Sequence, residues 1–224
     1  TDAITLAAKQ RAARSHARCD YGIHLGAGSD NVETAAALAN QVVGLKMYLD
    51  QTFGPLRLDD LDSLMKHMDR WPASRDHPLL CHAEGRTVAA CIMAAHVTQR
   101  PVHICHVSRA DEIDLIRRAK DKGIDVTCEV TPHHLFLTEP APVANGGGSK
   151  MPAAVFGTGG GSGRSEVRPR LATDIDRAAL RSSFDVIDCF ATDHAPHTLS
   201  EKDSSNPPPG FPGLETSLPL MLTA

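Results

Sequence analysis

Short apolar, partly β-branched runs alternate with stretches of helical spacing along most of the chain. Ile4, Ala7, Ala8 and Ala12 set the first helical face, over about 4–17, with Asp2 near its amino end. A strand is expected over 19–27, an alanine-rich helix over 31–40 and a second strand over 44–49, where Lys46 stands among apolar neighbours. Leu58, Leu61, Leu64, Met65 and Met68 then recur at helical spacing. Asp59, Asp60 and Asp62 sit where the helix dipole favours acids, and Trp71-Pro72 closes that helix. The third strand spans 78–84 and is followed by a helix over 86–99. The fourth spans 101–108, with Ser108 as helix cap and Gly123 as helix stop. The fifth runs over 124–134, and a short helix over 174–182 precedes the sixth, which begins at Val186. Residues 213–224 enter a further helix.

This alternation predicts a parallel sheet with crossover helices. The residues with chemistry fall where strands end: Lys46, His82, Cys105-His106, Glu129, and Asp193 with His194 and His197. Gathering such groups from many strands onto one face is the habit of a (β/α)8 TIM-type barrel, whereas a doubly wound sheet concentrates its site at one crevice. About six of the eight strands can be counted. The first residues read as mid-protein sequence, so an incomplete barrel within a longer chain is expected, with about two units ahead of residue 1.

Composition narrows the picture further. With 42% hydrophobic and 22% charged residues, the 224-residue chain is ordinary for a globular protein, and one domain over 1–224 is expected. A net charge of -4 without basic runs gives no reason to expect nucleic acid, and no apolar stretch approaches the roughly 18 residues of a membrane span. Six cysteines without CxxC spacing fit reduced thiols in a cytoplasmic protein; Cys81, Cys105, Cys128 and Cys189 lie in strand-like runs, where burial is expected. Residues 139–165 hold eight of the 17 glycines and read as a flexible insertion. A phosphate cradle there is disfavoured, because no Gly-Lys-Ser/Thr motif follows.

Imidazole, carboxylate and thiolate converging on a barrel mouth form the ligand set for zinc. Lys46 does not fit as an ammonium, which repels a cation. Carboxylation by carbon dioxide would make it an anionic bridge, and a lysine reaching the barrel rim is the other reading.

Seven stretches, in order, resemble the dihydroorotases of the amidohydrolase superfamily: Gly44-Leu-Lys-Met-Tyr-Leu with Thr52-Phe53, His82-Ala-Glu, His103-Ile-Cys-His-Val, Cys128-Glu-Val-Thr-Pro-His-His, Glu166-Val-Arg-Pro, Asp193-His-Ala-Pro-His-Thr and Pro207-Pro-Pro-Gly-Phe-Pro-Gly213. The likeness is nearest to the dihydroorotase domains of multifunctional animal pyrimidine-synthesis proteins. It implies a zinc enzyme that closes N-carbamoyl-L-aspartate to L-dihydroorotate reversibly, a homo-oligomer, and fusion to or association with carbamoyl-phosphate synthetase and aspartate transcarbamoylase. The resemblance makes Lys46 the carboxylated lysine bridging two zinc ions. His82 and His106 would bind one ion and Asp193 the other, with Asp193 also the general base. Cys105 and Glu129 would hold a third zinc. Arg168, His197 and Pro209 would contact substrate, and Thr52 and Phe53 would belong to the loop that closes over it.

The chain departs from the family in one respect. No His-x-His pair precedes Lys46, and the arginine and asparagine that contact substrate near that pair are also absent. On this reading the 224-residue chain alone is expected to be inactive and its parent active. Two other functions compete: a dihydropyrimidinase or hydantoinase, for which Arg168 and the Asp193-His-Ala-Pro-His signature are not expected, and a catalytically dead scaffold barrel, for which loss of ligands is expected.

Overall fold

The computed structural model describes residues 1–52, 54–74, 76–139 and 162–223. The chain divides into two compact units, Thr1–Cys105 with Asp114–Cys128, and His106–Ile113 with Glu129–Ala224.

In the first unit α1 (Ala3–His16) leads to β1 (His24–Gly26), α2 (Val32–Ala37), β2 (Gly44–Tyr48), α3 (Leu61–Arg70), β3 (Leu79–His82), α4 (Arg86–Thr98) and β4 (Val102–Ile104). Helix α5 (Ala110–Asp121) and strand β5 (Val126–Val130) each continue through the boundary between the units. The second unit holds α6 (Pro132–Phe136), α7 (Asp174–Arg181), β6 (Cys189–Phe190), α8 (Leu199–Lys202) and α9 (Ser217–Leu222).

Each strand pairs in parallel with the next in sequence, β1 through β6. A parallel sheet in chain order, with helices between strands, is the strand order of a (β/α)8 barrel with six of its eight strands. The sequence predicts this. Leu25, Leu45, Met47, Ile104 and Cys128 are fully buried on the strands of the first unit, and Leu64, Met68 and Trp71 are buried on or just after α3. Burying one such large side chain stabilises by about 1.5–3 kcal/mol, so these positions fix the strands before any polar group counts.

The helix starts have local causes. Asp2 accepts from the Thr5 N–H at 2.8 Å in a capping box, and Asp60 accepts from the Ser63 N–H at 2.7 Å, so α3 begins at Leu61 rather than near 58. At α5 the roles differ from the expected Ser108 cap: Glu112 reaches back and accepts from the Ser108 and Arg109 N–H groups, each at 3.1 Å. Gly123, at φ 73°, supplies the left-handed residue after that helix.

Strands are shorter than the apolar runs predict. β1 covers only His24–Gly26, and β4 stops at Ile104. β5 ends at Val130, because Thr131 caps a new helix with Pro132 at its first position, which takes His133 and His134 out of the strand. β6 keeps two residues, both exposed, so Cys189 is not the buried thiol expected; Cys81, Cys91, Cys105 and Cys128 are buried and Cys19 is exposed. Of the expected glycine-rich insertion, residues 140–161 lie outside the described residues, and Ser162–Ser165 form a single 3-10 turn. No helix among the described residues is long and apolar enough to cross a membrane.

Candidate active site

In the first unit Lys46 and His82 are carried by regular strands, whereas Cys105 and Thr52 lie beyond strand ends. Lys46 lies mid-strand in β2 and is half-buried, as is Tyr48 two residues on, while Leu45, Met47 and Leu49 between and beside them are buried. Strand alternation therefore puts the lysine and tyrosine on one face. Tyr48 is the register partner of His82, the last residue of β3. The two rings lie 5.9 Å apart, and the Lys46 Nζ sits 5.4 Å from the Tyr48 ring centroid. One tyrosine thus ties Lys46 to His82. His82 is buried, with Nε2 3.4 Å from the Glu84 Oε1. The turn after β3 is fixed in place: the Glu84 N–H donates to Asp50 Oδ2 at 2.8 Å, and Thr87 Oγ1 bonds the same carboxylate. Cys105 is buried just past β4, its N–H donating to the Cys81 carbonyl at 2.9 Å. Thr52 is half-buried and accepts from the Gly54 N–H at 3.4 Å, whereas Phe53 lies outside the described residues.

In the second unit the candidates other than Glu129, which is on β5, sit on loops. His106 is buried with φ 41°, and Asp193, three residues past β6, is exposed with φ 42°. The left-handed region costs a residue with a Cβ about 1–2 kcal/mol, so the surrounding bonds must impose it. Beside His106, the Val107 N–H donates to the carbonyl of Glu129, which is half-buried in β5. Past Asp193, His194 Nδ1 accepts from the Gly213 and Leu214 N–H groups at 3.0 and 3.3 Å, and the Ala195 N–H donates to the Phe211 carbonyl at 2.9 Å. These bonds clamp the Asp193 loop to the 207–213 loop. His197 Nε2 donates to the Pro209 carbonyl at 3.2 Å, bringing two expected substrate contacts together. Arg168 is half-buried, and its Nη1 donates to Glu166 Oε2 at 2.9 Å and to the Val167 carbonyl at 3.0 Å.

Two features escape the sequence reading. Lys202 is buried, and its Nζ donates to three backbone carbonyls of this unit. A lone lysine in Ser-Glu-Lys carries no signal of that. His133 is also buried, with its ring 5.2 Å from that of Phe211. Burial, and then the neighbouring His134, pushes its pKa down to about 2, so the ring is neutral. His134 is anchored differently: Nε2 donates to the Pro169 carbonyl at 3.1 Å, and Nδ1 pairs with Thr131 Oγ1 at 2.8 Å. His133, His197, Lys202 and Phe211 line a cavity of about 530 Å³.

No family model matches the chain. Over all of its 224 residues it is 50% identical to the multifunctional protein CAD of Squalus acanthias, of which it spans 9%. Over 124 residues, 54% of the chain, it is 47% identical to the dihydroorotase of Wolbachia sp. (strain wRi), of which that match spans 24%. The chain therefore covers a minor share of these curated relatives. In fold it matches the inactive dihydroorotase-like domain of the Chaetomium thermophilum CAD-like multifunctional protein with a TM-score of 0.74 at 24% identity, covering 100% of this chain and 58% of that one. It matches the L-hydantoinase (dihydropyrimidinase) of Arthrobacter aurescens with a TM-score of 0.81 at 19% identity, covering 99% and 55%. The structural likenesses show the fold, and the sequence identities show the family: the chain belongs to the dihydroorotases.

Proposed function

We propose that the chain is part of a zinc-dependent dihydroorotase that interconverts N-carbamoyl-L-aspartate and L-dihydroorotate in pyrimidine synthesis. One observation carries the reading. Among the described non-glycine residues, only Gln99, His106 and Asp193 have φ in the left-handed region. Gln99 ends α4, where that conformation is routine, but His106 and Asp193 have no such helix-end role. They are the histidine and aspartate that the family resemblance assigns to metal, and strain held by surrounding bonds gathers at functional sites.

The donor set fits zinc. In the first unit Lys46, carboxylated, and His82 are the ligand candidates; in the second they are His106 and Asp193, with Cys105 and Glu129 as candidates for a further ion. Bound zinc would supply Lewis acidity for carbonyl polarisation and water activation. The exposed Asp193 carboxylate accepts the proton released as water adds to the ring, and delivers it to the leaving nitrogen. Arg168, oriented by Glu166 and Val167, pairs its remaining donors with the substrate carboxylate. His197 and Pro209 border the ring, and Thr52 belongs to the loop that closes over it.

Two further parts of the reading rest on the resemblance to CAD-type proteins: a homo-oligomer in the cytoplasm, and fusion to carbamoyl-phosphate synthetase and aspartate transcarbamoylase. The hydantoinase alternative rests on fold alone, and Arg168 opposes it. A dead scaffold would be expected to lose ligands, and Lys46, His82, His106 and Asp193 all stand. Turnover of L-dihydroorotate by the full-length parent tests the proposal, with zinc content measured alongside. Zinc-dependent turnover supports it. A zinc-loaded parent that turns over neither dihydroorotate nor dihydrouracil would establish the scaffold reading.

A further inference from the structure

We propose that Lys202 is a positioning residue, whose buried ammonium holds the Arg168 segment and the Pro209 loop in the one geometry that receives substrate. The inference rests on the dihydroorotase reading of Arg168, His197 and Pro209. Lys202 is 7% exposed, at the end of α8. Its Nζ donates to the carbonyls of Glu166 at 2.7 Å, Pro208 at 3.0 Å and Gly210 at 3.2 Å, and it lies 5.7 Å from the Phe211 ring centroid. An ammonium has three donors, and all three are used.

These three carbonyls flank the substrate contacts. The Glu166 carbonyl also accepts from the Gly210 N–H at 2.9 Å, and the Glu166 carboxylate holds the Arg168 Nη1 at 2.9 Å. Pro209 sits between two anchored residues and offers its carbonyl to His197. Gly210 leaves this loop no slack: its φ is 144°, and a Cβ there would lie 2.5 Å from the Ala195 carbonyl oxygen. One cation therefore sets the relative position of Arg168, Pro209 and His197. Burying a lysine opposes its charge, and desolvation lowers its pKa here, with Glu166 acting the other way. A side chain needed only for packing would avoid that cost by being apolar.

The test uses the full-length parent, comparing wild type, Lys202→Met and Lys202→Arg for KM and kcat on L-dihydroorotate and for zinc content. Methionine fills the space but donates nothing, and Lys202→Arg keeps the charge on a planar fork that does not match a three-carbonyl socket. For Lys202→Met the expected result is a KM raised about tenfold, with kcat within about threefold and zinc unchanged; for Lys202→Arg, a KM raised about threefold. A merely structural lysine would lower the yield of active enzyme and with it kcat, leaving KM alone. KM within about twofold of wild type in Lys202→Met overturns the proposal, and if that variant does not fold, the same limit on Lys202→Arg decides. A wild-type parent without dihydroorotate turnover overturns the functional reading itself, and the role of Lys202 falls with it.

Discussion

The two units hold their candidate residues by different means. Lys46 and His82 are carried on adjacent, regularly paired strands, where register and a buried opposite face determine which way each side chain points. His106, Asp193, Arg168, His197 and Pro209 lie on loops, and their positions depend on individual hydrogen bonds, two strained backbone residues and one buried lysine. Hydrophobic packing is spread over many contacts and tolerates small changes, whereas a loop pinned by single bonds changes when one is lost. Loss of a buried apolar side chain on the strands should thus appear mainly as lost stability, and loss of a bond that holds a loop mainly as lost activity.

The largest expected effect lies in the second unit. Asp193→Ala in the parent should lower kcat for dihydroorotate by about 10²–10⁴-fold, the range for removing a general acid–base group, while the denaturation midpoint hardly moves. In the first unit Met47→Ala, beside Lys46 but on the buried face, should cost about 2–5 kcal/mol in urea unfolding. A Met47→Ala variant as stable as wild type would contradict the strand-based account.

A pH effect comes next. The native His133 ring refuses the proton that an unfolded histidine takes near pH 6.5, so its contribution to stability is complete above 6.5. It is lost progressively as pH falls toward about 2, by up to about 1.4 kcal/mol per pH unit. His67, whose pKa burial also lowers while its bond to the Gly28 carbonyl opposes the shift, acts in the same direction. Urea midpoints between pH 7 and 5 should fall in wild type and flatten in His133→Phe, leaving the smaller slope from His67. Equal slopes in both proteins would remove His133 from the account.

The smallest effect tests strain directly. Asp193 is exposed at φ 42°, so Asp193→Gly should be more stable than Asp193→Ala by about 1 kcal/mol, although both are inactive. No difference between the two would mean that the loop does not impose the conformation.

The same contrast governs what was legible in the sequence. The alternation of strand and helix, the parallel order and the placement of Lys46 and His82 follow from apolar spacing, because burial determines them. The apolar run through Ile124 to His134 hid a helix start, although Thr131-Pro132 is a recognisable cap and first-turn signal. The apolar run from Val186 predicts a longer, buried strand than the two exposed residues of β6, because apolar spacing alone does not set strand length or exposure. The positive φ of His106 and Asp193 left no trace, since neither residue is a glycine. Lys202 was invisible for a related reason: its three carbonyls come from residues 36, 6 and 8 positions away, and only the fold brings them together.

The central claim is that the loop-carried residues select a substrate bearing a carboxylate. The most direct measurement is the ratio of kcat/KM for L-dihydroorotate to that for dihydrouracil, which lacks the carboxylate, in the parent protein and in Arg168→Met. The account predicts a preference of about 10³-fold or more in wild type that falls at least tenfold in the variant. Comparable rates on the two substrates, or a preference unchanged by Arg168→Met, would contradict it.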